Sequence, residues 1–263
     1  MNLVFDADVS RYRSPSQKAR VLTETWTAKI AYCPRCGNGT LNHFENNAPV
    51  KDFFCPACYT RYEQKSSKKD FGARVLASDY QQMMDAVRNR INPDLFLLTY
   101  DILTLSVRSF FVIPKHFFHP GIIIPRPPLR ATARRAGWTG CLIQLSEIPY
   151  NGRIYIVKDG FEREKSFVLK QYHDTLFLED QAVSARGWLL DVWNCVNQLP
   201  ATFNLNNVYA FEPQLKNKYP GNMHVRDKIR QQLQILRDKN IIQFNGNGRY
   251  SKISDESISG TNG

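Results

Sequence analysis

Two Cys-x-x-Cys pairs, Cys33-Pro34-Arg35-Cys36 and Cys55-Pro56-Ala57-Cys58, stand 18 residues apart. The short gap within each pair lets both thiolates turn towards one cation, and two such pairs complete a tetrahedral shell. This is the pattern of a structural zinc ribbon. Four thiolates leave no open position, so Zn2+ is expected to serve folding and not catalysis. Disulfides are the competing reading, disfavoured without a secretion signal, and a redox pair is disfavoured without a surrounding βαβ pattern. His43 lies between the pairs with no coordination position left for it, and reads as a packed or hydrogen-bonded loop residue. Cys141 and Cys195 have no partners at metal spacing and read as core residues.

A second chemistry surrounds the second pair. Asp52 precedes it, and Glu63-Gln64-Lys65 follows it. Residues two apart on a strand share a face, so Glu63 and Lys65 project together. If residues 50–54 and 60–65 pair, with the Cys55 knuckle as their turn, Asp52 comes beside Glu63. Asp52 and Glu63 then offer hard oxygen donors to Mg2+, and the Gln64 carbonyl could add another. Lys65 would orient the attacking water and offset charge on a phosphorane. The spacing alone is unspecific, because a solvated hairpin face can carry the same three residues.

These groups need a scaffold. The chain has 263 residues, 43% hydrophobic and 12% aromatic, enough to bury a core and divide into two domains. No run of about 18 apolar residues is present, so no membrane helix is expected. The opening residues carry Asp6 and Asp8 where a signal peptide would be basic, which points to a soluble, cytoplasmic protein. The net charge is +11, spread over both halves, and makes a polyanion, nucleic acid above all, the natural partner.

Helical spacing is expected over 16–30, with Ser14 and Pro15 starting the helix. A second helix is expected over 78–90, placing Met83, Met84, Val87 and Ile91 inward and stopping at Asn92-Pro93. The runs 95–100, 110–113 and 153–157 read as sheet strands. Residues 114–137 hold five prolines and several arginines and read as one long loop. Within that loop and just beyond it, Arg134 and Arg135 can clamp phosphates, and Trp138 after Gly137 offers a flat apolar surface to DNA. A tryptophan there is also often a core residue.

From 184 onward the texture is helical, with Leu189, Val192, Trp193 and Val196 on one face. Helical stretches follow over 205–215, kinked or divided by Pro213, and over 225–238. Ile241 to Phe244, an Asn-Gly turn, and 249–253 then form a hairpin. Three helices and a terminal hairpin are the order of a winged helix. On the last helix, Val225, Ile229, Leu233 and Leu236 face inward, while Arg226, Arg230, Gln231 and Gln234 carry the vocabulary of major-groove readout. Arg249 and Lys252 on the hairpin suit phosphates. Winged helices also serve as protein-interaction modules. The expected division is 1–182, 183–253 and a disordered tail over 254–263.

Several blocks together carry a resemblance. They are Ser16-Gln17-Lys18-Ala19-Arg20-Val21-Leu22-Thr23-Glu24, the two knuckles around Asn42-His43-Phe44-Glu45-Asn46-Asn47, and Glu63-Gln64-Lys65-Ser66. Thr132-Ala133-Arg134-Arg135-Ala136-Gly137-Trp138 and the stretch 228–239 complete them. Over nearly the whole chain to Ile253 the sequence resembles the DpnI-like methyl-directed restriction endonucleases. The resemblance implies a PD-(D/E)xK nuclease domain of α/β type with an inserted zinc site, followed by a winged helix. It implies Mg2+-dependent cleavage of double-stranded DNA at GATC containing N6-methyladenine. Its catalytic residues fall on Asp52, Glu63 and Lys65, and its zinc ligands on Cys33, Cys36, Cys55 and Cys58. The proline of the superfamily name is replaced by Lys51.

Burying one methyl group yields only about 0.8 kcal/mol, a factor of about four. Two domains reading the same methylated site would multiply that discrimination. A zinc-ribbon and winged-helix regulator that does not cut, or a nuclease on RNA or unmethylated DNA, are the competing functions. The first of these has no need of Asp52, Glu63 and Lys65. A monomer is expected.

Overall fold

The computed structural model describes residues 1–44 and 52–253. The chain divides into two compact units, Met1–Val183 and Ser184–Gly263. Lys51 and the tail over 254–263 lie outside the described residues, and so does the expected disorder of that tail.

The first unit runs α1 (Pro15–Ile30), β1 (Asn42–His43), β2 (Phe53–Phe54), β3 (Arg61–Ser67), β4 (Arg74–Asp79), α2 (Tyr80–Arg88), β5 (Asp94–Asp101) and β6 (Ser106–Ile113). It continues through β7 (Ile123–Pro125), β8 (Gly140–Gln144), β9 (Ile154–Lys158), β10 (Phe161–Glu162) and α3 (Lys165–Asp174). A mixed sheet has the order β1-β2-β3-β5-β6-β9-β10. Its β3–β5 pair is parallel, and the other pairs are antiparallel.

Strand β5 is the apolar centre of this sheet, buried on both faces as a central strand must be. Phe96, Leu98, Phe110, Val112, Ile154 and Ile156 join one core cluster with Trp26 of α1 and Tyr172 of α3. Trp26 packs edge-on against Phe110, 5.4 Å between centroids, and donates its indole N–H to the Asn2 carbonyl at 2.8 Å. Leu95, Leu97, Phe111 and Ile113 alternate with these residues, point to the opposite face and are also buried.

Three local expectations need correction. Residues 78 and 79 end β4, and α2 starts only at Tyr80, where the Asp79 carboxylate caps it by accepting from the Gln82 amide at 3.0 Å. The helix stops at Arg88, and Arg90 turns the chain with φ of 59°. Ile91 therefore leaves the helical face and is 59% exposed. Residues 114–137 are not one loop, because they hold two short 3-10 turns and β7. Strand β7 joins a second sheet of order β4-β8-β7, which the sequence reading did not anticipate.

The second unit runs α4 (Val183–Gln198), β11 (Thr202–Asn204), α5 (Leu205–Tyr209), α6 (Glu212–Lys218), α7 (Val225–Asp238), β12 (Ile242–Phe244) and β13 (Arg249–Lys252). Pro213 divides the expected 205–215 helix and sits in the first turn of α6, where a missing N–H costs nothing. Leu189, Val192, Trp193 and Val196 of α4 and Val225, Ile229, Leu233 and Leu236 of α7 are all buried. The hairpin gains β11 as a third strand, in the order β11-β13-β12, so helices plus wing form a helix-turn-helix unit. Gly246, Asn247 and Gly248 adopt positive φ in the wing turn, a conformation glycine and asparagine adopt more easily than other residues. No helix among the described residues is long and apolar enough to cross a membrane.

Candidate functional site

The two knuckles are built alike. The Gly37 amide donates to the Cys33 carbonyl at 2.8 Å, and the Cys33 amide to Asn38 at 2.8 Å. In the second knuckle Tyr59 donates to Cys55 at 2.9 Å, and Cys55 to Thr60 at 2.9 Å. The fourth residue after each leading cysteine is left-handed, with φ of 79° at Gly37 and 58° at Tyr59. Both loops thus turn their cysteines to one point.

The four Sγ atoms all lie within 4.8 Å of one another, with Cys33–Cys58 and Cys36–Cys55 each at 3.6 Å. A tetrahedron with Zn–S bonds of about 2.3 Å separates its sulfurs by about 3.8 Å, so the cluster fits a structural zinc. Burial alone would raise the Cys58 thiol. Hydrogen bonds from the Thr60 hydroxyl and amide, and from Cys36 and Cys33, outweigh it and bring the thiol down to about 7. A thiolate ligand is therefore within easy reach at neutral pH. The Tyr62 hydroxyl lies 3.0 Å from Cys33 Sγ and can donate to it, the kind of outer contact that orients a metal ligand. His43 belongs to β1 and lies against the Phe53 ring at 4.5 Å, while Cys141 and Cys195 are buried.

The second knuckle is also the turn between the strands that carry the acidic residues. Phe53 pairs with Tyr62 and Phe54 with Arg61 across β2 and β3. The Asp52 amide donates to the Tyr62 carbonyl at 2.9 Å and extends this ladder by one step. The Asp52 carboxylate in turn accepts from the Gln64 amide at 2.7 Å. Glu63 is buried to 6% exposure, and its Oε1 lies 2.5 Å from Lys65 Nζ. Asp52, Glu63, the Gln64 backbone and Lys65 are thus brought together. The Gln64 side chain turns to the other face of β3, where it accepts from the Thr27 hydroxyl of α1 at 2.6 Å.

Two residues near this cluster had no role in the sequence reading. Burial raises the Glu24 carboxyl, the hydrogen-bonded Arg20 opposes this, and the charge of Asp52 raises it further. Arg20 reaches Glu24 at 3.0 and 3.2 Å, so α1 brings a third carboxylate within electrostatic reach of Asp52. Burial likewise pushes the Cys141 thiol up to about 11, helped by the charges of Glu63 and Asp79. Strand β8 therefore lies close to Glu63. In sequence, Glu24 falls on a helix by its spacing and within a literal block, and Cys141 reads as a core residue for want of partners at metal spacing.

The arginine loop leads into β8. The Leu129 amide donates to the Trp138 carbonyl at 2.9 Å and Gly137 returns a bond to Leu129 at 3.0 Å, closing a hairpin in which Gly137 has φ of 78°. Trp138 is half-buried, with the Arg135 guanidinium over its ring at 4.6 Å, while Arg134 is exposed. Trp138 lies three positions before Cys141, a chain distance of at most about 11 Å.

In the second unit, Arg226, Arg230, Gln231 and Gln234 are exposed on α7, and Arg249 is exposed at the start of β13. Tyr209 of α5 organises the two arginines, lying 5.1 Å from Arg226 and 5.8 Å from Arg230 and accepting a hydrogen bond from the latter. Arg226 also pairs with Glu212 at 2.7 Å. Lys252 departs from its expected phosphate role. Its ammonium donates to the Asn197 carbonyl at 2.9 Å and to the Leu199 carbonyl at 2.5 Å, closing the C-terminal end of α4. The helix-terminal carbonyls and the negative end of the helix dipole attract it there.

Two family models match this chain. That of the Dam-replacing family, DpnI, covers residues 1–181, and that of the Dam-replacing HTH domain, DpnI_C, covers residues 184–252. The four-cysteine cluster, the helix-turn-helix unit and these two matches agree, and the chain belongs to the Dam-replacing, DpnI-like family.

Proposed function

We propose that this protein is a methylation-dependent restriction endonuclease that hydrolyses both strands of duplex DNA at GATC when the adenine carries an N6-methyl group. Its family indicates a methylation-dependent restriction enzyme, and its helix-turn-helix unit indicates DNA binding. The observation that carries hydrolysis is the meeting of Asp52, Glu63 and Lys65 on the β2–β3 pair. This is the working edge expected of a PD-(D/E)xK nuclease.

The donor set suits a hard cation. Asp52 and Glu63, with the Gln64 carbonyl, would hold Mg2+. Once bound, the ion would polarise the scissile phosphate and lower the pKa of a coordinated water. Lys65, beside the buried Glu63, holds an ammonium where charge develops on the phosphate oxygens and where a nucleophilic water needs a hydrogen-bond donor. The Gln64 amide holds Asp52 in a single orientation.

Residues 1–182 cut and residues 183–253 read, and both recognise the methylated site. Arg134 and Arg135 hold phosphates, and Trp138 meets the methyl group. Arg226, Arg230, Gln231 and Gln234 address base edges, with Arg249 on the backbone. The enzyme acts as a cytoplasmic monomer.

One digest tests the assignment. Plasmid with and without N6-methylated GATC is incubated with the protein, with Mg2+ or with a chelator. Fragments at GATC from methylated plasmid only, and only with Mg2+, are expected. Equal cutting of both plasmids, or binding without any cutting, would overturn it.

A further inference from the structure

Beside the second knuckle, at the end of the main sheet where β3 and β5 begin, lies a cavity of about 260 Å³. Arg35, Arg61, Arg90 and Lys115 line it together with Cys58, Tyr59 and Asn92, and no carboxylate does. The basic side chains come from four separate parts of the chain: the first knuckle, β3, the turn after α2 and the turn after β6. The cavity plays no part in the acid–lysine cluster. We infer that it is a binding site for a backbone phosphodiester of duplex DNA, one that positions the strand entering the Asp52–Glu63–Lys65 cluster.

Two of the four cations are held from behind. Arg35 makes a two-pronged contact with Glu179 at 2.7 and 3.1 Å. A hydrogen bond from His116, and then Arg35 itself, hold Glu179 well below the usual carboxylate range. Arg90 donates to the Glu179 and Gln181 carbonyls at 3.3 Å each, with its backbone left-handed. The Lys115 amide donates to buried Asp94 at 2.8 Å, fixing where its side chain starts. Glu179 beside Arg35, Asp94 near Lys115 and Arg35, and a Cys58 thiolate oppose the four cations, which still outnumber them. Fixed cations in a concave site bind an anion without first paying to order themselves.

The choice of a DNA phosphate rests on Arg61. It lies two residues before Glu63 on β3 and so shares its face, about 6.7 Å away along the strand. That distance is comparable with the separation of neighbouring phosphates on one DNA strand. An anion held at Arg61 and one attacked at Glu63 can therefore belong to consecutive nucleotides. Phosphate contacts of this kind fix register and carry no sequence information.

This inference rests on the reading that the protein binds duplex DNA. Its test is binding, not cleavage, so the two can fail separately. Affinity of the full-length protein for a GATC duplex, methylated or not, is measured by fluorescence anisotropy without Mg2+ over a salt series. Each phosphate contact contributes about 0.9 to the slope of log K against log salt. R61Q/K115Q should lower that slope by about 1, the share of one phosphate, weaken both duplexes alike and leave their affinity ratio unchanged. The charge-preserving R61K/K115R should keep the wild-type slope, and melting curves should show both variants folded. An unchanged slope in folded R61Q/K115Q overturns the site, and so does a collapse of the methyl ratio, which would make it a base reader. If inorganic phosphate protects the wild type but not R61Q/K115Q from thermal unfolding while the DNA slope stays unchanged, the cavity takes a small free anion. That result also overturns the assignment. A wild type that binds duplex normally yet cuts nothing defeats the nuclease reading and leaves this one standing.

Discussion

Lys65 is the residue on which cutting and binding should part. Its ammonium lies against buried Glu63, inside the acid cluster, so it acts on reacting groups and not on the fold. Lys65→Ala should reduce the cleavage rate by about 100-fold or more, the scale of removing one donor from a developing oxyanion. Methyl-specific DNA binding should persist. Single-turnover cleavage read beside anisotropy checks this, and undiminished cutting would remove Lys65 from the chemistry. The cluster was legible because the knuckle spacing forced a hairpin, and the hairpin set Asp52 against Glu63. Lys252 was illegible for the opposite reason. Its sequence neighbours make it a wing cation, but its partners are carbonyls 53 and 55 residues away that only the folded unit brings near.

At the scale of elements, the matched knuckles set up a contrast. Both need a left-handed residue in the same place, and one has glycine while the other has tyrosine. Left-handed backbone costs a non-glycine residue about 1–2 kcal/mol, and the Tyr59 side chain is 74% exposed and loses little on truncation. Tyr59→Gly should therefore stabilise the first unit by up to about 1 kcal/mol. Gly37→Ala should destabilise it by about 1–2 kcal/mol, since the added Cβ also meets Leu169 Cδ1 at 3.2 Å. Chemical denaturation of both variants with zinc bound gives the signs. Sheet β4-β8-β7 escaped the sequence reading because its strands are short and its β4–β8 pairing joins residues as far apart as Arg74 and Gln144. Helix α3 escaped because both of its faces mix polar and apolar residues, and only Val168 and Tyr172 are buried.

For the molecule as a whole, pH acts through a buried group. Burial raises the Asp94 carboxyl to about 6, against bonds from the Lys115 amide and the Tyr172 hydroxyl that pull it down. A raised carboxyl binds its proton more tightly folded than unfolded. Its contribution to stability is thus full below pH about 4 and lost as pH rises through about 6. Relative to Asp94→Asn, the wild type should gain on the order of 2 kcal/mol between pH 7 and pH 4. Unfolding free energies of both proteins across that range decide it, and a flat difference would contradict the burial argument. The two units make a second prediction. The second has its own buried core from α4 and α7, so residues 184–253 alone should fold and bind methylated GATC more tightly than unmethylated. Equal binding would show that methyl reading belongs to the first unit only.

Two sulfur contacts of the metal cluster run across the knuckles at 3.6 Å, Cys33 to Cys58 and Cys36 to Cys55. Stripped of its cation and exposed to peroxide, the protein offers the Cys58 thiol, brought down to about 7, with the Cys33 sulfur at 3.6 Å. Oxidation then gives a sulfenic acid on Cys58; burial holds the Cys33 thiol protonated, so it gives up its proton as its sulfur attacks, the bridge forms and water leaves. Peptide mapping of aged, metal-free material should find links between knuckles and none within them. Such a bridge, at about 2 Å in place of 3.6 Å, would pull the turn that sets Asp52 against Glu63 out of shape, which makes oxidative ageing a cause of silent loss of cutting in stored protein.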